Sequence, residues 1–350
     1  MIVKLSLGDV ERARLVLRGG SVLDMRRLNV KSIDACNQLL RINGFDLNDE
    51  RDQLRLGEIR RASMDYLIRN LGFTFTPAIL ETESVSELML LAGCKDLALR
   101  RQACTLLKIM HVEHFIEAKE LKSRLNISDR ALYHLVEEKV ARIVGQMRDQ
   151  GYPIVNFQSS RKTHDSIITK LISKRQGNRA LLYDMIRFRI ITATVEEILP
   201  VVAYLSEHLF PFHFVVPGES ENSIFDFKDF IRRHPRISRL ARELEVDLMY
   251  DEDTPEASNP ETSSMFRTAK FVTDLPLRLD DRQMEVWAPG LSLPTRIVHV
   301  PSEFQIVDEA TNIRNEKGDA SHRRYKARKV ERVRERLLRG MTARNGKDKG

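Results

Sequence analysis

Apolar positions in the first 150 residues recur with helical spacing between polar helix starts and glycine or asparagine stops. Ser84 and Glu87, three apart, make a candidate capping box. The other predicted helix starts are Asp9, Ser32, about Asn48, Pro77, Asp96, and Ser128 or Asp129. The predicted ends are Gly19, Asn43, Gly72, Arg124 and Gln150. The pattern therefore predicts a helical N-terminal domain, and it does not indicate a role for it.

The pattern changes after residues 151–153, where short period-two segments begin to mix with helices. A helix is expected at 195–210, the segment 225–233 follows with no element assigned, and a polar stretch at 251–264 is typical of a loop. Strands are expected at 187–192, 212–218, 265–276, 284–290 and 296–308. Because there is no regular βαβ rhythm, the sequence predicts an α+β fold, with a mixed sheet flanked by helices after the helical half.

Alternation on two of these strands separates polar from apolar side chains. Arg187 and Arg189 share one face of their strand, with Phe188 on the other. Glu303 and Gln305 share a face of the last strand, opposite to Phe304 and Ile306. Each strand therefore has one face suited to a core and one suited to a polar site.

A basic stripe precedes the first of these strands. If the segment is helical from residue 160, then Lys162, Ser166, Lys170 and Lys174 lie on one face. Such a row suits a polyanion such as a triphosphate, and Asp184 offers a carboxylate for a divalent metal. The alternative is an ordinary solvated helix face.

Composition narrows the class of protein. The 350 residues are 31% charged and 42% hydrophobic, which is ordinary for a globular protein. No apolar run reaches 18 residues, and the N-terminus has no signal-peptide pattern, so a cytoplasmic protein is expected. The three cysteines form no paired metal-binding pattern and argue against a disulfide framework.

The net charge of +7 arises at the C-terminus. Residues 322–350 hold 12 basic and 3 acidic side chains, and the remaining chain holds 45 and 47. A basic tail of this kind attracts RNA or another polyanion, unless it is only a solvated helix with a frayed end.

Two features of the helical half have alternative interpretations. His111, His114 and Glu117 have the spacing of metal ligands on one helix, but no further ligand is suggested, and ordinary packing is expected. Residues 120–139 resemble a helix-turn-helix unit. Their second helix is poor in base-reading side chains, which favours two packed helices over a DNA reader.

Four blocks of the second half, in order, resemble the synthetase domain of RelA/SpoT-type enzymes. The first is Lys162 with Ser166-Ile167 and Lys170, and the second is Asp184 followed by Arg189. The third is the sequence FKDFI at 227–231. The fourth is EFQI at 303–306, followed by Gly318, Ala320, His322, Tyr325 and Lys326. The resemblance implies a nucleotidyltransferase-like fold and pyrophosphate transfer from ATP to the 3′-hydroxyl of GDP or GTP, which makes ppGpp or pppGpp in the stringent response.

The resemblance also implies residue roles. Asp184 and Glu303 would be the catalytic carboxylates, holding Mg²⁺ or accepting the proton of the acceptor hydroxyl. ATP phosphates would be bound by Arg161, Lys162, Ser166, Lys170, Arg187 and Arg189. The acceptor side would include Lys228, Arg267, Gln305, His322, Tyr325 and Lys326.

The chain departs from the family pattern in several places. Ser160 stands where the family has an arginine, with Arg161 offset by one, and residues 259–269 lack the tyrosine that stacks on guanine. The acceptor therefore stays open between GDP or GTP and the 3′ end of tRNA, which the basic tail would suit. A non-catalytic nucleotide- or RNA-binding module is a further alternative. The single His-Asp dipeptide, at 164–165, lies in the basic stripe, so no alarmone hydrolase is expected.

Together these observations predict three parts: a helical domain at 1–150, a RelA/SpoT-like synthetase domain at 151–330 and a basic tail at 331–350.

Overall fold

A computed structural model describes most of the chain. The described residues are 5–19, 30–173, 185–243, 266–291, 293–317, 330–331, 333–335 and 337–338. Over these residues the protein is an α+β structure with a helical N-terminal half and one mixed sheet of five strands, which confirms the predicted fold class. The division into domains at residue 150 stays a prediction, as does the separate tail.

Seven helices form the described part of the first 150 residues. They are α1 (Leu7–Arg18), α2 (Ile33–Ile42), α3 (Glu50–Leu71), α4 (Pro77–Leu80), α5 (Val85–Ala92), α6 (Leu97–Arg124) and α7 (Asp129–Asp149).

Capping explains why most of these helices begin and end where the sequence indicates. The start predicted at Asp9 is wrong, because Ser6 caps α1 and Asp9 is the third residue of that helix, in the same capping box. The Ser32 hydroxyl accepts from the Ala35 backbone N–H at 3.2 Å, and the Ser128 hydroxyl accepts from that of Ala131 at 3.3 Å. At the other end of α3, Gly72 has φ 61°, a left-handed conformation that glycine adopts without strain.

The second half supplies the sheet and six further helices. The strands are β1 (Ile154–Arg161), β2 (Ile186–Thr192), β3 (Glu221–Asn222), β4 (Ala269–Arg278) and β5 (Ile297–Asp308). The helices are α8 (His164–Ser173), α9 (Ile198–His208), α10 (Phe227–Arg233), α11 (Pro235–Glu243), α12 (Asp281–Trp287) and α13 (Glu309–Asn315). The described residues between 330 and 338 are also helical, with Val330, Leu337 and Leu338 exposed.

The sheet is mixed, with the strand order β1-β2-β5-β4-β3. β2 and β5 run parallel at its centre, and every other pairing is antiparallel. Two segments that are more than one hundred residues apart in the chain therefore become neighbours.

One face of the sheet is packed with phenylalanine rings. Phe188 on β2 and Phe304 on β5 are fully buried with ring centroids 5.2 Å apart, and Phe271 on β4 lies 5.3 Å from Phe304. The ring of Phe210, just after α9, packs against Phe271 and Phe304, with ring centroids 5.4 Å and 5.6 Å apart. Burying several such rings supplies much of the hydrophobic stabilisation on this side.

The helical half packs directly on the sheet half. Gly44, after α2, has φ 101°, and a Cβ atom there would lie 3.1 Å from Cγ2 of Ile297 on β5. Glycine is therefore needed both for the backbone conformation and for the close approach. Arg278 on β4 also pairs with Asp49 and Asp52 at the start of α3, at 2.7 and 3.0 Å.

Two strand predictions are wrong. Residues 284–290 belong largely to α12, because Asp280 and Gln283 form a capping box that starts a helix. Residues 212–218 begin with a 3₁₀ turn at Phe212–Phe214, and of this segment only Val215 makes a described β-bridge, to Thr273. No helix in the described part of the chain is long and apolar enough to cross a membrane.

Candidate functional site

The parallel pairing of β2 with β5 aligns the polar faces of the two strands. Arg187 lies opposite Glu303, and Arg189 lies opposite Gln305. Side chains directly opposite each other on neighbouring strands share a face of the sheet. The four polar residues that the sequence places on two separate strands therefore form one cluster, on the face away from Phe188 and Phe304.

Glu303 is the acidic member of these four residues, and it is buried. Its residue is 5% exposed, and its Oε1 accepts from Nε of Arg187 at 2.6 Å and from Nε2 of Gln305 at 2.7 Å. A buried carboxylate requires such partners, since an unpaired charge in this position would be strongly destabilising. Arg187 itself remains 27% exposed, so the pair has one side towards solvent.

Arg189 extends the cluster towards the helix that follows β5. Its guanidinium donates to Oε1 of Gln305 at 3.1 Å and to Oδ1 of Asn312 at 3.4 Å. It also pairs with Glu316 at 3.2 Å, where the glutamate is about half exposed. These partners hold the guanidinium on the polar face of the sheet.

Two members of the cluster, Arg189 and Gln305, also belong to a longer polar row that crosses the sheet. The strand registers align Gln158, Arg189, Gln305, Lys270 and Glu221, one from each strand in spatial order. Lys270 and Glu221 form an ion pair at 3.4 Å near the β3 edge. The row alternates donors and acceptors, which suits a ligand rich in phosphate and hydroxyl oxygens.

The predicted helix from residue 160 is wrong in its first turn. Residues 154–161 form strand β1, which the sequence interpretation missed, and α8 begins only at His164. Lys162 therefore precedes the helix, and its backbone N–H donates to the carbonyl of Met185 at 3.0 Å. Ser166 and Lys170 do lie one turn apart on α8, and Lys174 lies outside the described residues.

The start of α8 consequently lies beside the start of β2. The Ser166 hydroxyl lies 2.9 Å from that of Thr163, and Thr163 Oγ1 accepts from the Ser166 backbone N–H at 3.4 Å. Unpaired backbone N–H groups and the helix dipole make such an end favourable for anions. The backbone hydrogen bond between Lys162 and Met185 therefore joins the chain just before α8 to the chain just before β2.

Arg161 lies apart from the cluster. Its register partner on β2 is Ile186, so it occupies the face opposite to Ser160 and Arg187. Its guanidinium pairs with Glu137 of α7, with Nε and Oε1 3.0 Å apart, and this pair raises the pKa of the arginine. The structure does not bring Arg161 together with Glu303.

Of the described acceptor-side residues, Gln305 lies on the central strand β5, and the other two lie near the β3 edge. Arg267 is exposed, and its backbone forms two hydrogen bonds with the Asn315 side chain, at 2.7 and 3.1 Å. Lys228 lies in the first turn of α10, half-buried. The chain after β3, which leads to α10, is joined to the chain before β4, which carries Arg267, by a hydrogen bond from the Ser223 backbone N–H to the Thr268 carbonyl, 3.0 Å long.

Four predicted site residues lie outside the described residues. They are Asp184, His322, Tyr325 and Lys326. Their roles stay predictions, as do those of the described site residues.

A magnesium ion needs hard oxygen ligands, and Glu303 supplies one such carboxylate on the polar face. Within the described part of the chain, no group of three or more His, Cys, Asp or Glu side chains is arranged to hold a metal. The described residues therefore fit the ion only in part, and a second carboxylate would have to come from Asp184.

Three members of the polar row were missed in the sequence, and so were two residues that contact Arg189. The missed row members are Gln158, Lys270 and Glu221. Asn312 and Glu316 come directly after the last strand, and Lys270 lies at an alternating position of β4. The alternation on β4 was a usable signal for Lys270. No pattern in the sequence indicates that Asn312 and Glu316 reach Arg189.

Comparison with known proteins gives a likeness of fold. The chain matches no protein-family model, and no curated protein is similar to it. Among solved structures it is similar to small alarmone synthetase 2 from Bacillus subtilis, with 18% identity, 61% of this chain and 94% of that chain covered, and a TM-score of 0.30. It is also similar to small alarmone synthetase 1 from the same organism, with 18% identity, 62% of this chain and 92% of that chain covered, and a TM-score of 0.32. For the structure of that synthetase bound to its product pppGpp, the identity is 18%, the coverage is 63% of this chain and 94% of that chain, and the TM-score is 0.28. At these values the likeness carries no argument about substrate or mechanism.

Proposed function

We propose that the protein transfers the terminal pyrophosphate of ATP to the 3′-hydroxyl of GDP or GTP. In this reaction the bond between the β-phosphorus and the oxygen that bridges it to the α-phosphorus breaks, and the bridging oxygen stays on the α-phosphorus. A new bond forms between the β-phosphorus and the acceptor oxygen, and AMP leaves. The products are AMP and a guanosine nucleotide that carries a 3′-pyrophosphate.

The observation that carries the proposal is the register of β2 with β5. It places Arg187 and Arg189 beside Glu303 and Gln305, although the two blocks are more than one hundred residues apart in the chain. These are the blocks that, in the sequence, resemble the synthetase domain. Cationic groups beside a carboxylate on one polar face of a sheet are what phosphoryl-type transfer requires.

Glu303 would act on the acceptor hydroxyl, as proton acceptor or through a shared Mg²⁺ held together with Asp184. Bound Mg²⁺ would supply charge neutralisation between the ATP phosphates. The hydrogen bonds from Arg187 and Gln305 orient the Glu303 carboxylate, which is the preorganisation that a catalytic group needs.

Arg189 would neutralise charge on the transferred group. Lys162 just before α8, Ser166 and Lys170 on α8, and Arg187 on β2 would bind the ATP phosphates. Arg161 is assigned to the same role by the resemblance, and its pairing with Glu137 gives the assignment no support. Lys228, Arg267, Gln305, His322, Tyr325 and Lys326 would line the acceptor side.

One experiment tests the transfer and its acceptor together. The protein is incubated with Mg²⁺ and γ-labelled ATP, and with GDP, GTP or tRNA. We expect label in a guanosine product with an equal amount of AMP. Label in tRNA alone would replace the guanosine acceptor, and label in neither product would leave only a binding role for the polar row.

A further inference from the structure

Four histidine side chains lie together where α6 meets the sheet. His111 and His114 come from α6, His213 from the turn Phe212–Phe214, and His299 from β5. The rings of His111 and His213 are 5.0 Å apart edge to face, and those of His114 and His299 are 5.1 Å apart edge to face. We call these four residues the histidine cluster.

The surroundings of the histidine cluster are apolar. The Phe214 ring lies 5.0 Å from His111 and 4.8 Å from His299. A cavity of about 40 Å³ borders three of the histidines, and its other lining residues are mostly aliphatic. The interpretation of His111 and His114 as metal ligands gains nothing here, because no described group of such side chains is arranged to hold a metal.

The ring nitrogens in this cluster make few hydrogen bonds. Both nitrogens of His114, both of His299 and Nδ1 of His213 are buried without a partner of normal hydrogen-bond geometry among the described residues. These three residues are 4%, 6% and 3% exposed. A protonated imidazole has two N–H donors to satisfy and a charge to solvate, so this environment accommodates the neutral ring far better.

The charged groups that act on the cluster are also cationic. Arg55 of α3, itself paired with Glu117, acts on His114, and Lys139 of α7 acts on His299. Among the described residues, no carboxylate is found to raise the pKa of any of the four histidines. These cations therefore disfavour protonation of the cluster, whereas the Asn43 backbone at the end of α2 raises the pKa of His114. On β4, burial raises the pKa of Asp274 to about 6, and Lys119 and Lys122 of α6 oppose that shift.

Burial is the main cause of a lowered pKa at all four positions. The pKa of His111 falls to about 4 and that of His114 to about 3, against an ordinary value of 6.5. The pKa values of His213 and His299 also lie well below 6.5, and the neighbouring histidines contribute to the shift.

We propose that the histidine cluster is an acid-sensitive junction, which holds α6 on the sheet while its four rings are neutral and releases α6 when they bind protons. A histidine whose pKa is lower in the closed state than in the open state leaves the closed state fully stable above pH 6.5, where the ring is neutral in both states. The stabilisation is lost progressively as the pH falls below 6.5 towards the closed-state pKa values, because the open state binds more protons.

The expected steepness follows from the number of protons. If all four rings have the ordinary pKa of 6.5 when open, the opening equilibrium increases on the order of 200-fold between pH 7.5 and pH 6. Each histidine contributes roughly a fourfold increase. Release of α6 also affects the polar face of the sheet, because His299 and Glu303 lie four residues apart on the same face of β5.

Hydrogen exchange of the α6 amides measures this opening directly. Rates corrected for the intrinsic pH dependence of exchange are compared between pH 7.5 and pH 6 in the full-length protein. We expect the opening constant to increase on the order of 200-fold in the unaltered protein, and only on the order of 10-fold in the double variant His213→Phe/His299→Phe. The matched control is His134→Asn on α7, because His134 is an exposed histidine, and it should keep the full dependence.

If the opening constant of α6 changes with pH to the same extent in the double variant as in the unaltered protein, the proposal is overturned. A second measurement needs no variant: NMR titration of the imidazole protons in the closed protein. Rings that stay neutral at pH 6 support the junction, and rings that titrate near pH 6.5 while α6 remains protected contradict it. Neither readout depends on whether the protein transfers pyrophosphate.

Discussion

Replacing Glu303 by glutamine separates a catalytic carboxylate from a structural one. The substitution keeps the shape of the side chain and removes the negative charge that Arg187 contacts at 2.6 Å. If Glu303 accepts the proton of the acceptor hydroxyl or binds Mg²⁺, the amide can do neither at a useful rate. We therefore expect Glu303→Gln to fold and to lose pyrophosphate transfer.

The magnitudes of the two effects differ enough to tell them apart. Removing one member of a fully buried ion pair costs about 3 to 5 kcal/mol, but Arg187 is 27% exposed and can turn towards solvent. We expect a loss of roughly 1 to 3 kcal/mol in the free energy of unfolding. Loss of charge stabilisation in the transition state should lower kcat by about a thousandfold.

The assay is initial rate of AMP formation, with urea unfolding measured on the same preparation. Glu11→Gln is a matched control, because Glu11 and Arg14 form a buried pair in α1 with 2.8 Å between Oε2 and Nε. We expect this control to lose stability without loss of kcat. A Glu303→Gln protein that is folded and turns over at a near-normal rate would refute the role given to Glu303.

Three further predictions concern other parts of the chain. In a steady-state assay, Arg189→Ala should lower kcat more than it raises the KM for ATP, because the guanidinium is placed to stabilise charge in the transition state. The control Arg69→Ala, on the exposed surface of α3, should change neither kcat nor KM. Gly44→Ala should reduce the free energy of unfolding by roughly 2 to 4 kcal/mol in urea titration, because its φ of 101° and the contact with Ile297 both oppose a Cβ atom; an unchanged midpoint contradicts the close approach. Deleting residues 331–350 should leave transfer to GDP intact in the labelling assay, and an equal loss with every acceptor would show that the tail belongs to the fold.

The helical half could be predicted from local signals because capping is local. Ser32, Ser84, Asp96 and Ser128 each accept a backbone N–H at the start of the helix that the sequence indicates. The errors occur where local and tertiary preferences compete. The segment 154–161 is a mostly exposed edge strand, and its weak alternation gave no strand signal.

The candidate site was only partly predictable. Alternation indicates that Arg187 and Arg189 share a face, but the pairing of β2 with β5 is a long-range contact that one sequence does not specify. The offset of Arg161 illustrates the limit, because a shift of one residue on a strand moves a side chain to the opposite face. The histidine cluster has the same origin, since its members come from three separate elements.

Pyrophosphate transfer on the polar face of the sheet is tested most directly by the ratio of AMP to labelled guanosine product. The unaltered protein is incubated with Mg²⁺, γ-labelled ATP and GDP, and both AMP and labelled guanosine product are quantified. We expect one AMP for each labelled ppGpp, with both products absent in Glu303→Gln. ADP with free labelled phosphate, or no product from either protein, would contradict it.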